Sequence, residues 1–104
     1  MKKRVPIKKW LNIVKNYYIS LRYLIKNNMV GEPYMKEEEL IIVRKLNEIM
    51  MFAPNDYLLI YSARYCKGKS SKDIIEIFGF SKRTLYRIEN EIEYYLENKL
   101  GEVI

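Results

Sequence analysis

The stretch of residues 70–90 constrains the fold more than any other part of the sequence, because it predicts two helices joined by a very short turn. Ser70 or Ser71 can cap the first helix by accepting a hydrogen bond from an unpaired backbone N–H. Gly79 can supply the left-handed conformation that ends it, and Ser81 can cap the next helix. Apolar residues recur around these signals at Ile74, Ile75, Ile77, Phe78, Phe80, Leu85, Ile88 and Ile92. This order predicts a helix-turn-helix.

The second predicted helix has a polar outer face. Its positions directed away from the predicted core are Lys82, Arg83, Tyr86, Arg87 and Asn90. Ile75 is larger than the small residue usual at such a crossing, which indicates either a wider crossing or an Ile75 that leans toward the rest of the protein. Any helical domain with an amphipathic helix pair and a glycine turn is the alternative, but spacing, caps and surface chemistry agree on the helix-turn-helix.

Helical periodicity also covers the first half of the chain. After a basic arm at residues 1–4, an apolar stripe from about residue 7 to 28 predicts an amphipathic helix. Its solvent side is cationic at Lys8, Lys15, Arg22 and Lys26. The stripe suits packing on the domain or pairing between subunits, and a membrane surface is a weaker alternative. Gly31 and Pro33 mark a linker, and Glu37–Glu39 begin a second helix as solvated acids favoured by the helix dipole.

Pro54-Asn55-Asp56 is expected to break the chain, and Asn55 or Asp56 can cap a third helix that extends to about Tyr65. Its residues expected to pack beneath the helix-turn-helix are Leu58, Leu59, Tyr61 and Ala63. The last helix is expected to stop at Gly101. Its acidic residues Glu89, Glu91, Glu93 and Glu97 are expected to form the outer face, so that the C-terminal half turns away from a polyanion.

These elements predict an all-α protein of four to five helices, in a single domain over residues 1–104. The basic N-terminal helix occupies residues 1–30, supporting helices occupy 34–66, and the helix-turn-helix with its extended second helix occupies 70–100. The C-terminal helix-turn-helix is expected to pack with the N-terminal basic helix.

Charge is segregated along the chain. The net charge is +6, yet residues 1–31 carry eight Lys and Arg and no acid, and residues 57–88 carry seven bases and two acids. Two basic zones, one of them on the predicted motif, favour a polyanionic partner, although the first zone also suits a membrane surface or an acidic protein.

Several chemistries find no support in the sequence. There is no histidine and only one cysteine, Cys66, so a zinc site or an internal disulfide is not expected. No phosphate-binding glycine loop, activated nucleophile or persuasive carboxylate pair indicates an enzyme. No cofactor, small-molecule ligand or membrane partner is indicated. Without a signal-peptide pattern or a spanning segment, a cytoplasmic location is expected.

Residues 54–65, a short Gly-containing link and residues 73–87 together resemble the domain of bacterial sigma factors that reads the −35 element, known as sigma region 4. The segment Gly79-Phe80-Ser81-Lys82-Arg83-Thr84-Leu85-Tyr86-Arg87 carries most of this likeness. The chain is similar to small phage and prophage late-gene regulators of the ArpU/RinA type, with the likeness covering about residues 52–96. This resemblance implies transcriptional activation through double-stranded DNA, with RNA polymerase as a further candidate partner.

Specific site residues follow from placing the second motif helix in the major groove, where base edges carry a distinguishable code. The candidate base-reading residues are Lys82, Arg83, Tyr86, Arg87 and Asn90, and the candidate phosphate-binding residues are Lys67, Lys69, Ser71, Lys72, Ser81 and Thr84. A sequence-specific regulator, working as a homodimer or beside polymerase, is the leading hypothesis. A module that binds polymerase or another regulator without reading bases is the second, and a DNA-packaging protein of the small-terminase type is the third.

Overall fold

The computed structural model describes residues 6–103, with side chains as far as residue 101. Within these residues the chain is helical, without a strand, as the sequence predicted. Five α-helices and one π-helical segment follow in the order α1 (Ile7–Lys26), α2 (Glu37–Met51), α3 (Asn55–Tyr61), π (Ser62–Cys66), α4 (Ser71–Phe78) and α5 (Lys82–Val103). The basic arm predicted for residues 1–4 lies outside the described residues.

Helix α1 packs on the π segment, α2 and α5 through the first part of its predicted stripe. Ile7, Leu11 and Val14 are buried in the common core, and the aromatic residues beside them are half-buried. Toward the end of the helix the apolar residues of the stripe are less buried, and Ile25 is 66% exposed. The predicted cationic side is exposed to solvent.

Helix α2 buries Val43, Leu46 and Met50 against α1, α3 and α5. The first turn of α2 agrees with the prediction of solvated acids, since Glu37 and Glu38 are exposed. The carboxylate of Glu39 accepts a hydrogen bond from the backbone N–H of Lys36 at 3.2 Å, which satisfies a backbone donor just before the helix.

The third helix differs from the prediction in three respects. Pro54 occupies the cap position and no side chain caps the helix, so the expected cap by Asn55 or Asp56 is wrong. Ile60 is fully buried while Leu59 is 52% exposed, because the helix presents the last residue of the Leu58-Leu59-Ile60 run to the core. The chain then widens into the π segment, where the Lys67 backbone N–H bonds to the Ser62 carbonyl at 2.8 Å.

The last helix runs through Gly101 to Val103, so the predicted stop at Gly101 is wrong. Its buried stripe continues at the spacing predicted by the sequence, through Leu85, Ile88, Ile92, Leu96 and Leu100. Among the described residues, no helix is both long and apolar enough to cross a membrane.

Candidate nucleic-acid interface

Helices α4 and α5 are separated only by residues 79–81. The Ser70 hydroxyl accepts a hydrogen bond from the Asp73 N–H at 3.2 Å and caps α4. Gly79 has φ 71° and ψ 19°, the left-handed conformation expected of it, and its N–H bonds to the Ile75 carbonyl at 2.9 Å. The Ser81 hydroxyl then accepts from the Thr84 N–H at 3.1 Å and caps α5. Local hydrogen bonding therefore fixes both the end of α4 and the start of α5.

Apolar contacts hold this turn on the core. Ile74 and Leu85 are completely buried, one from each helix. The rings of Phe78 and Phe80 stack across the turn with centroids 5.9 Å apart. Ile75 is half-buried and packs against the core. Of the two alternatives for this large residue, the structure shows the one in which Ile75 leans toward the rest of the protein.

All five candidate base-reading residues are exposed, and they lie along the first turns of α5. The Lys82 ammonium lies 5.8 Å from the centroid of the Tyr86 ring, and Arg87 Nη1 lies 3.0 Å from Glu91 Oε1. Arg83 and Asn90 have no hydrogen-bond or ion-pair partner among the described residues. Their polar groups are therefore free to bind a ligand.

The candidate phosphate-binding residues lie around the same turn and the loop before α4. Lys67, Lys69 and Lys72 are exposed, whereas Ser71 and Thr84 are partly buried. The Ser81 hydroxyl donates to Thr84 Oγ1 at 2.9 Å while it caps α5. The Ser81 hydroxyl proton is therefore already engaged, and the Thr84 hydroxyl is the better donor to a phosphate.

Two arginines hold the loop that carries these lysines. Arg22 of α1 donates from Nη1 to the Cys66 carbonyl, and its guanidinium passes over Gly68. Gly68 has φ 67°, a backbone conformation that favours glycine, and a Cβ there would lie 2.7 Å from Arg22 Nη2, so the end of that arginine side chain would have to shift. Arg64 Nη1 reaches the Lys69 carbonyl at 3.5 Å from the other side.

Arg64 also connects the loop to α5. Its Nε lies 3.2 Å from Glu89 Oε1, and the two side chains are only 25% and 16% exposed. This is a charge pair without a directed hydrogen bond, since Glu89 Oε1 has no hydrogen-bond partner in the described part of the chain. Burial raises the pKa of Glu89 above its usual value, and the Arg64 charge opposes that rise. The pair helps to fix the rotation of α5 about its axis, which sets the direction of its polar face.

The expected acidic outer face on α5 is wrong. Glu89, Glu91, Glu93 and Glu97 are all half-buried, and the exposed stripe after Asn90 continues through Tyr94 and Asn98. Leu85, Ile92 and Leu96 determine which side faces the core, and this places three glutamates on one flank and Glu91 on the other. Glu93 and Glu97 line a cleft with Lys8 and Lys9 at the start of α1. Glu93 and Glu97 therefore face the basic first turn of α1, and Tyr94 and Asn98 of the exposed stripe carry no charge.

A groove of about 860 Å³ follows the polar face of α5. It is lined by Tyr57, Arg83, Tyr86, Arg87, Asn90, Glu91, Tyr94, Tyr95, Asn98 and Lys99. Four of the five predicted base-reading residues line it, and Lys82 does not. The sequence prediction missed Tyr57, which packs edge-on against Tyr95 with ring centroids 5.8 Å apart. It also missed the role of Glu91, although the four-residue spacing from Arg87 is a signal for that ion pair.

Among the described residues, no group of three or more Cys, Asp or Glu side chains could hold a metal ion. No protein-family model, curated protein or solved structure matches this chain.

Proposed function

We propose that this chain is a sequence-specific double-stranded DNA-binding protein that regulates transcription in a bacterial or phage-infected cell, and that it is not an enzyme. One observation carries the proposal. Lys82, Arg83, Tyr86, Arg87 and Asn90 are all exposed on the first three turns of α5, which follow a capped, glycine-ended short helix. The sequence resemblance to sigma region 4 and to phage late regulators agrees with this geometry and gives the proposal its biological setting.

In the proposed complex, the start of α5 lies in the major groove. Arg83 and Arg87 are four residues apart, so their Cα atoms differ by about 6 Å along the axis, and both side chains lie on one face. Each guanidinium can donate hydrogen bonds to both O6 and N7 of a guanine, which is worth about 1–3 kcal/mol of discrimination against a wrong base. Arg83 is available for this contact, while Arg87 must exchange its bond to Glu91 for the base. Asn90 can read adenine or bind a phosphate.

The phosphate contacts in this complex come from the loop before α4 and from the α5 N-terminus. Lys67, Lys69 and Lys72 supply charge there, and the Thr84 hydroxyl and the dipole at the helix start supply local donors. These contacts position α5 but carry no sequence information. We therefore expect the two residue sets to respond differently to mutation.

The test is selection of bound duplexes from a random pool at near-physiological salt, followed by affinity measurement on the enriched site and on a scrambled site. Arg83→Ala should weaken binding to the enriched site by about 1–3 kcal/mol and leave the scrambled site far less affected. Lys69→Ala is the matched control, since it should weaken both sites equally and reduce the salt dependence.

The absence of an enriched motif, with binding that disappears as salt rises, would refute sequence-specific recognition. Equal, sequence-independent losses from Arg83→Ala and Lys69→Ala would refute the assignment of Arg83 to base reading. Strong capture of RNA polymerase together with either result would favour the interaction-module hypothesis.

A further inference from the structure

The exposed side of α1 is cationic and has apolar residues at its centre. Lys15, Ile19, Arg22 and Lys26 recur at spacings of three and four residues, so they share one face, and Tyr23 lies beside Ile19. Ile19 is 48% exposed and Tyr23 is 64% exposed. Helix α1 contains no acidic residue. These five residues are called the basic face below.

The exposed side of α2 has the opposite charge and also carries exposed apolar residues. Glu37, Ile41, Glu48 and Met51 share one face by the same spacing, and Phe52 follows directly after the helix. Ile41, Met51 and Phe52 are 52%, 71% and 83% exposed. These five residues are called the acidic face below.

Two cations, Arg44 and Lys45, lie beside the acidic face. Arg44 lies on the same side of α2, but its Nη2 is 3.7 Å from Glu32 Oε1, so the charge of Arg44 is offset within the chain. With Arg44 offset, the two negative charges of Glu37 and Glu48 exceed the single positive charge of Lys45, so the acidic face stays negative overall.

Exposed apolar side chains are concentrated in this part of the molecule. Nine of the thirteen large hydrophobic residues that are exposed in the described part of the chain lie between residues 19 and 52. Five of these nine residues belong to the basic and acidic faces, and exposed apolar side chains bordered by charges are typical of a protein–protein contact.

We propose that the basic face of one copy packs against the acidic face of a second copy. In the proposed dimer a two-fold axis relates two such contacts, the symmetry of most homodimers. The charged ends also match, since Lys15 and Lys26 are separated by the same number of residues as Glu37 and Glu48, about 16 Å along a helix. Burial of the apolar centres supplies the free energy, and the charges set the orientation. This dimer does not depend on the proposed DNA binding.

The experiment is sedimentation or light scattering of the full chain over a wide range of concentration, without DNA. The wild-type chain should dimerise, and dimerisation should weaken as salt rises. The charge-reversal pair Lys15→Glu with Lys26→Glu should be monomeric, and so should Glu37→Lys with Glu48→Lys. An equimolar mixture of the two variants should form a heterodimer, because in the mixture the reversed faces are again opposite in sign. Glu76→Lys, an exposed reversal on α4, is the control and should leave dimerisation unchanged.

Circular dichroism of each variant separates loss of association from loss of folding, and the heterodimer in the mixture can form only if both variants fold. A wild-type monomer at all concentrations overturns the proposal. Dimers that survive either double reversal overturn it, and so do folded variants that remain monomeric when mixed. Loss of DNA affinity without any change in association would instead assign the basic face to phosphates. None of these results affects the test of base recognition by Arg83.

Discussion

Asn47 joins three helices through two hydrogen bonds, and its removal provides a sharp test of how the core is stabilised. The Tyr61 hydroxyl of α3 donates to Asn47 Oδ1 at 2.7 Å, and Asn47 Nδ2 donates to the Tyr18 hydroxyl of α1 at 2.9 Å. Tyr61 is only 2% exposed, so water has little access to its hydroxyl. This burial raises the pKa of Tyr61 far above the usual value for a tyrosine.

The magnitudes follow from what each change leaves unpaired. Asn47→Ala deprives Tyr61 of its acceptor in a closed site, which costs about 1–3 kcal/mol, and loses the Tyr18 bond, worth about 1 kcal/mol more. Tyr61→Phe removes the buried hydroxyl itself and leaves Asn47, which is half-buried, with its bond to Tyr18. That change should cost about 1 kcal/mol. In the double variant no hydroxyl is stranded at residue 61, so its cost should fall below the sum of the two single costs by about 1–2 kcal/mol.

The assay is urea unfolding of the four proteins, monitored by circular dichroism at neutral pH. Asn98→Ala is the control, because Asn98 is exposed on α5 and its removal should change the free energy of unfolding by less than about 0.5 kcal/mol. Additive costs in the double variant would refute the reasoning, because they would show that Tyr61 does not depend on Asn47 for its hydrogen bond.

Three further predictions concern the glycine at the turn, the glycine inside α5 and the response to alkaline pH. Gly79→Ala should destabilise by about 1–2 kcal/mol from backbone strain alone, since φ is 71° and a Cβ meets nothing within 4 Å. Gly101→Ala should stabilise by up to about 1 kcal/mol because that glycine lies inside α5 with open space around it; thermal melts compare the two. Burial raises the pKa of Tyr65 to about 12, so the unfolded chain loses this proton first and stability should fall as pH rises from 10 to 12. Tyr65→Phe should reduce that fall in guanidinium titrations, with part of the fall remaining because the pKa of Tyr61 is also raised, while Tyr34→Phe at a fully exposed residue should leave it unchanged; equal slopes in both variants would contradict the assignment.

Local chemistry in the sequence was sufficient to predict the α4–α5 turn. The hydroxyls of Ser70 and Ser81 and the missing Cβ of Gly79 determine where the helices end, and these effects operate within a few residues. The outer polar residues of α5 were predicted for the same reason, because the buried stripe at Leu85 and Ile88 specifies the opposite side.

Features set by distant contacts were not predictable in this way. The run Leu58-Leu59-Ile60 is apolar at three successive positions, so periodicity could not choose which side chain faces the core. The π segment packs against α1, a contact between residues far apart in the sequence, and the groove includes Tyr57 because α3 lies beside α5. The acidic residues of α5 were misplaced because their charge was considered without their angular position relative to Leu96.

The passage of Arg22 over Gly68 has a practical consequence for dissecting this protein. Helix α1 cannot be removed to leave a minimal binding fragment. The guanidinium of Arg22 in this helix holds the loop that leads into α4. A truncation beginning at residue 34 would remove the Ile7, Leu11 and Val14 contacts and also release that loop. Any shortened version should therefore be trimmed from within residues 27–33 rather than from the N-terminal side.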